Sequence, residues 1–191
     1  MGVVPGVIPG KWVDTWQQRM PRIPLELVPI AFAGQRAALD AGDLDVALVR
    51  LPIERDDLHV IPLYDEVVVV VTSADSHLTA ADELDLDDLA GEVLITPLDD
   101  VLALSVPGAD APRFPPPATT EEAIATAAAG VGVVIVPMSL ARLHQRKDIT
   151  SRPLRSTPAS TVALAWPEGA DNELVDAFIG IVRGRTANSS R

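Results

Sequence analysis

Five consecutive valines, Val67-Val68-Val69-Val70-Val71, constrain this chain more than any other feature. β-Branched side chains are stiff and favour extended backbone, and a run that is apolar at every position has no polar face to turn toward water. Residues 66–72 therefore read as one deeply buried strand, covered on both faces. Upstream, period and punctuation alternate strand with helix: strand 2–4, helix 10–20, strand 25–29, helix 34–41, strand 46–49. These strands are also continuous apolar runs, as expected for a parallel sheet flanked by helices and joined by right-handed crossovers. Gly42 sits where the second helix needs a left-handed C′ residue.

Beyond the valines the composition changes. Residues 75–89 are acidic and leucine-spaced, and 82–89 read as a short exposed helix anchored by Leu84, Leu86 and Leu89. A strand over 93–96 leads into a loop over 107–117 that holds five prolines. The next helix takes Thr119 or Thr120 as N-cap, with Glu121 and Glu122 in its first turn, where carboxylates favour the positive helix end. Strands at 133–136, 149–154 and 161–166 and a final amphipathic helix over 172–183 complete the pattern, with 186–191 as a frayed tail. The organisation expected is an α/β chain of two lobes: lobe I from 1–73 and 151–185, lobe II from 74–150, with crossings near Thr72-Ser73 and near 150–152. Such an arrangement leaves an interlobe cleft toward which helix N-termini point their free amides, and it implies a hinge.

Several function classes fall away. The 27 acidic residues outnumber the 15 basic ones for a net charge of −12, and the basic residues are scattered, so direct nucleic-acid contact by this chain is not expected. Zero cysteines exclude a disulfide framework, a thiolate metal site and a cysteine nucleophile, and point to a cytoplasmic home. The uncharged stretch 123–141 is long enough to span a membrane, but Gly130, Gly132 and Pro137 break it into helix, stop and strand. Gly6-Val7-Ile8-Pro9-Gly10-Lys11-Trp12 imitates a phosphate loop, yet it has three residues between its glycines and Trp12 where a hydroxyl is required. His59, His77 and His144 stand apart, and the acidic run lacks the glycine and terminal glutamate of a calcium loop. No G-x-S-x-G elbow occurs. No cofactor, metal or catalytic residue is expected.

Several segments together resemble the effector-binding domain of LysR-type transcriptional regulators. Leu39-Asp40-Ala41-Gly42-Asp43-Leu44-Asp45-Val46-Ala47-Leu48 is similar to that family's L-x-x-G-x-L-D-x-A-I signature. Ile61-Pro62-Leu63-Tyr64-Asp65-Glu66, Ser76-His77-Leu78, Leu86-Asp87-Asp88-Leu89-Ala90-Gly91-Glu92 and Ala128-Ala129-Gly130-Val131-Gly132-Val133-Val134-Ile135-Val136-Pro137 follow in the family's order over nearly the whole chain. The resemblance implies a type II periplasmic-binding-protein-like fold, a small-molecule effector, and side-by-side pairing as a homodimer or as a heterodimer with a full-length regulator. The family's helix-turn-helix and linker would precede residue 1, and a stand-alone effector domain is the expectation.

By position, the resemblance places ligand contacts on Gly6 and Val7 after the first strand, Phe32 at the second helix, Arg50 at the end of the third strand, Thr96 and Pro97 in lobe II, and Thr119 and Thr120 at the helix start. The family's early loops often carry Ser or Thr, whereas Pro5-Gly6-Val7 and Phe32 stand here, so hydroxyl clamps are thinned. Arg50 reads equally as a bidentate partner for an organic or aromatic acid and as a rim salt bridge to Glu54 or Asp57. Phe32, Trp12 and Trp16 read first as packing residues, and Lys11 as solvated. Two rivals remain. One is a pairing module with a vestigial cleft that titrates another regulator. The other is an enzyme on the same fold, but the Thr-Arg-Phe of a prephenate dehydratase is only Pro112-Arg113-Phe114 here, and a porphobilinogen deaminase needs a cysteine.

Overall fold

The computed structural model describes residues 1–169 and 172–184. Its elements run β1 (Gly2–Val3), α1 (Gly10–Arg19), β2 (Val28–Pro29), α2 (Gln35–Asp40), β3 (Ala47–Arg50), β4 (Leu58–Glu66), β5 (Val68–Ser73), α3 (Thr120–Ala128), β6 (Val134–Pro137), α4 (Met138–Leu143), β7 (Ile149–Pro153), β8 (Ser160–Pro167) and α5 (Glu173–Val182). Short 3-10 turns at Phe32–Gly34, His77–Ala80 and Leu86–Leu89 lie between them. The chain divides into two compact units: lobe I, Met1–Tyr64 with the described residues from Thr161 onward, and lobe II, Asp65–Ser160. The expected tail 186–191 lies outside the described residues.

Lobe I is built on a five-stranded sheet in the order β2-β1-β3-β8-β4. The β1 strand pairs in parallel with β2 and β3, so all three carboxyl ends lie along one edge, but the strand expected over 25–29 is reduced to Val28–Pro29, both exposed, because β2 is the edge of the sheet. Returning from lobe II, β8 joins antiparallel to β3, with Ala47 opposite Ala165 and Arg50 opposite Val162. The β3 residues and Val162 through Ala165 are wholly buried. Over this sheet α5 presents Val175, Phe178, Ile179 and Ile181, a helical-period stripe, and it packs on α1, where Trp16 meets Phe178 edge-on at 5.9 Å. Asn172 caps α5 by accepting from the Leu174 and Val175 amides.

Lobe II holds a three-stranded sheet, β6-β5-β7, antiparallel throughout. The valine strand is its centre, which explains burial without alternation: Val68 and Val70 enter a cluster with Leu84, Leu89, Val133 and Leu154, while α3 and α4 also pack on the strand. The expectation for the run fails at Val67, which is 54% exposed because it lies between β4 and β5. Both lobe boundaries also shift. Thr72 pairs with Thr150 and Val71 with Ser151, so the valine strand and its β7 partner belong together in lobe II, and the crossings fall after Tyr64 and after Ser160 instead of near 73 and 150. The strand expected over 93–96 reduces to single bridges, Val93 to Asp110 and Leu94 to Val133. The helix expected over 82–89 reduces to one 3-10 turn at Leu86–Leu89, though Leu84 and Leu89 do anchor the segment at 2% and 0% exposure.

Candidate functional site

In lobe I the candidate residues gather at the carboxyl edge of the parallel strands. After β1 the chain makes a tight turn in which the Val7 amide donates to the Val4 carbonyl at 3.3 Å. Pro5 and Gly6 occupy its centre, and Gly6 takes φ +81°, a type II arrangement that proline followed by glycine favours. After β2 comes the turn at Phe32–Gly34, in which Phe32 is half-buried. Arg50, the last residue of β3, is 0% exposed, and its Nη2 donates to the Pro5 carbonyl at 3.3 Å. One guanidinium thus ties the β3 end to the turn that carries Gly6 and Val7. Burial on this scale does not fit a solvent-exposed rim position. It is Arg36 that reaches the loop holding Glu54 and Asp57, donating to the Glu54 and Asp56 carbonyls at 3.2 and 2.6 Å.

Gln35 is one residue that sequence reasoning missed. It is 5% exposed; its Nε2 donates to the Arg50 carbonyl at 2.8 Å, and its Oε1 accepts from the Arg50 amide at 3.0 Å. The α2 start is thereby clipped to the β3 end through a side chain that reads as an ordinary surface residue. Trp16 is a packing residue as expected, 3% exposed, with its Nε1 donating to the Ile23 carbonyl at 2.9 Å. Lys11 is exposed, and Trp12 packs partly on the lobe I core.

In lobe II the other four candidates meet around the N-terminus of α3. Thr119 is the N-cap, its Oγ1 accepting from the Glu122 amide at 3.2 Å, while the Glu122 carboxylate accepts from the Ala118 amide at 2.8 Å. Thr120, 3% exposed, donates its hydroxyl proton to Asp99 Oδ1 at 2.8 Å. Thr96 is exposed, Pro97 is buried, and the Leu98 amide donates to the Pro117 carbonyl at 2.9 Å, which fastens this loop to the end of the proline-rich segment. Asp100 accepts from the Leu102 and Ala103 amides, which holds Ala103 at φ +48°. Asp99 was not anticipated. The signal available was an aspartate just past an apolar segment, two residues from the named Pro97.

The chemistry of this half follows from its bonding. Having given its proton to Asp99, Thr120 can only accept, whereas Thr119 keeps a proton to donate and Thr96 has a whole hydroxyl to offer. Asp99 and Glu122 supply negative charge where the helix end favours it, which lowers the attraction of that end for a second anion. Apolar surface adjoins the polar groups in each lobe: Ile8 is 82% exposed beside the lobe I turn, and Leu98 is 74% exposed beside Pro97 in lobe II. Each lobe thus has exposed apolar surface next to its polar candidate residues. Among the described residues no group of three or more His, Cys, Asp or Glu could hold a metal ion, and no helix is long and apolar enough to cross a membrane.

Comparison with known proteins bears on the family and the fold. The profile of the LysR substrate binding domain matches residues 5–187. The Hca operon transcriptional activator HcaR of Escherichia coli is 25% identical over 199 residues, covering 98% of this chain and 65% of that protein. The HTH-type transcriptional regulator AlsR of Bacillus subtilis is 23% identical over 179 residues, covering 88% of this chain and 59% of its own. This chain thus spans somewhat less than two thirds of the length of those relatives, which are regulators of transcription and not enzymes. In structure it resembles the oxidized form of OxyR, with a TM-score of 0.78 at 22% identity over 100% of this chain and 96% of that one. It also resembles a full-length BenM variant, with a TM-score of 0.78 at 20% identity over 96% of this chain and 65% of that one. The fold is the type II periplasmic-binding-protein-like one that the sequence motifs implied.

Proposed function

This chain belongs to the LysR substrate binding domain family, and from that premise we propose that it is the effector-sensing part of a LysR-type regulator, working in the cytoplasm. It binds a small metabolite, shifts a conformational equilibrium, and passes the change on by association with a second copy or with a full-length regulator. The observation that carries this reading is the convergence of Gly6, Val7, Phe32 and Arg50 at the carboxyl edge of three parallel strands, the edge at which open α/β sheets take ligands. The turn amides, the Thr96 and Thr119 hydroxyls, and the apolar Phe32, Ile8 and Leu98 fit an organic or aromatic acid of modest size. With its net charge of −12 the chain contributes no DNA contact of its own.

The test is a thermal-shift screen of the purified chain against organic acids, amino acids and aromatic metabolites. Ligand at about a hundred times its dissociation constant adds roughly 2.7 kcal/mol of stability. Phe32→Ala and Thr96→Ala should weaken a hit without unfolding the chain, since neither side chain is deeply buried. Arg50→Ala is a poor probe, because emptying a fully buried site destabilises for reasons unrelated to ligand. Flat melts across the panel, combined with a stable dimer by light scattering, would overturn sensing in favour of a domain that acts by pairing alone.

A further inference from the structure

Lobe II carries a recess that shares no residue with the loops described above, formed by α4, the segment after it and the start of β7, and enclosing about 580 Å³. Its walls include Arg142, Arg146, Thr150 and Ser151, over a floor made in part by Ala141 and Ile149. Of the 15 basic residues in the chain, five fall between positions 142 and 155, where the only carboxylate is Asp148. Arg155 is taken up by Glu83 and Asp85 and Arg152 by the Ala81 and Thr79 carbonyls, which leaves Arg142 and Arg146 lining the recess against the single carboxylate of Asp148, and an excess of positive charge on a concave surface attracts anions.

The groups facing the recess are not all occupied by the fold. Arg146 is bound side-on by Asp148 at 2.8 and 2.7 Å. Arg142 is exposed and has no carboxylate partner among the described residues. Thr150 and Ser151 use their backbones to pair with Thr72 and Val71, while their half-buried side-chain hydroxyls make no hydrogen bond among the described residues. A guanidinium fork, two hydroxyl donors and a small apolar floor are the components that hold an oxyanion carrying a short organic body.

We propose that this recess is a binding site for a small organic anion, a carboxylate or a phosphate monoester, held by Arg142 and the Thr150 and Ser151 hydroxyls. The probes are benzoate and inorganic phosphate, each titrated into the intact chain at constant ionic strength with chloride as the balancing anion, and the readout is NMR shifts of the 149–151 amides and the arginine Nε–H groups. Saturable shifts with either probe, weakened at least tenfold in Arg142→Gln and partly restored in Arg142→Lys, are the expected result; which probe saturates tells a carboxylate site from a phosphate site. Arg142→Gln should melt with the parent, and the double variant Thr150→Val with Ser151→Ala should reproduce the loss of affinity. Shifts that rise linearly, that match those from chloride alone, or that saturate unchanged in Arg142→Gln would sink the proposal. So would saturation by an oligoglutamate peptide with no response to either small anion, which would mark the recess as a contact for an acidic protein segment.

Discussion

Replacing Gln35 by Met probes the clip at the end of β3. The side chains are close in volume, so the substitution opens no large cavity, and what it removes is the pair of bonds to the Arg50 backbone at 2.8 and 3.0 Å. Both Gln35 and Arg50 are inaccessible to water, at 5% and 0% exposure, so solvent cannot replace those bonds. Each buried polar group deprived of its partner costs about 1–3 kcal/mol, which puts the loss at roughly 2–5 kcal/mol. For a chain of this length 1 kcal/mol is worth about 2–4 °C, so the melting point should fall by roughly 4–20 °C. Urea titration followed by far-UV circular dichroism measures the loss, and tryptophan fluorescence reports lobe I through Trp16. Gln35→Glu sets a carboxylate oxygen against the Arg50 carbonyl, acceptor against acceptor in a buried place, and should lose at least as much as the Met variant at neutral pH. A Met variant within about 0.5 kcal/mol of the parent would refute the claim that this side chain is what satisfies the β3 end.

Other substitutions read other parts of the fold. Gly132→Ala pushes a methyl group against the Val93 carbonyl, 2.9 Å from its Cβ and 3.1 Å from its carbonyl carbon, and strains the bond from the Val133 amide to that carbonyl; a loss of about 2–4 kcal/mol in chemical denaturation is expected. Gly130→Ala meets nothing within 4 Å but must hold φ +76°, so it should cost only about 1–2 kcal/mol, and equal losses at the two glycines would contradict the packing argument. Thr119→Ala removes the α3 cap and should lower stability by about 1 kcal/mol, with Thr119→Ser restoring most of it in the same denaturation assay. Arg146 holds the Asp148 carboxyl below its ordinary value of 3.8 by a side-chain hydrogen bond. That pair therefore adds stability above pH 3.8 and loses it as pH falls through the lower folded value; parent and Arg146→Gln melting curves should run parallel at neutral pH and converge in acid.

How much of this was legible depended on whether the signal was local. The β1 and β3 strands of lobe I, the Gly42 stop at φ +78°, the Thr119 cap and the Asn172 to Arg183 limits of α5 were all readable, because each rests on a run of residue types whose backbone preferences agree. The valine strand was readable as buried but not as the centre of an antiparallel sheet, since a both-sided apolar run is what any central strand displays, whatever the direction of its neighbours. That ambiguity moved the lobe boundaries: the pairing of Val71 with Ser151 joins positions 80 residues apart, and no local pattern announces it. The 93–96 segment failed for the opposite reason, its β-branched composition being real but its partners offering only single bridges.

The candidate site divides along the same line. That Arg50 ends a strand was visible, but whether its guanidinium meets solvent or the interior is decided by Pro5, 45 positions earlier, and its backbone is fixed by Gln35 on a different helix. Asp99 escaped for the same reason: its partner Thr120 lies 21 positions on, beyond a proline-rich loop whose path composition does not specify. Each missed residue is polar and unremarkable in sequence, and it acquires its role only when tertiary structure sets a donor against an acceptor. The consequence for function is physical. With the Arg50 guanidinium buried and tied to the turn, and Thr120 committed to Asp99, two of the polar groups expected to hold a ligand already serve the fold. Under the proposed sensing role, discrimination would rest in lobe I on the Gly6 turn, the Phe32 ring and the apolar Ile8, and in lobe II on the Thr96 and Thr119 hydroxyls and Leu98. An effector selected by such a surface is recognised as much by the shape of its apolar body as by its charge, so across a ligand series affinity should follow ring size and substitution more closely than the number of carboxylates.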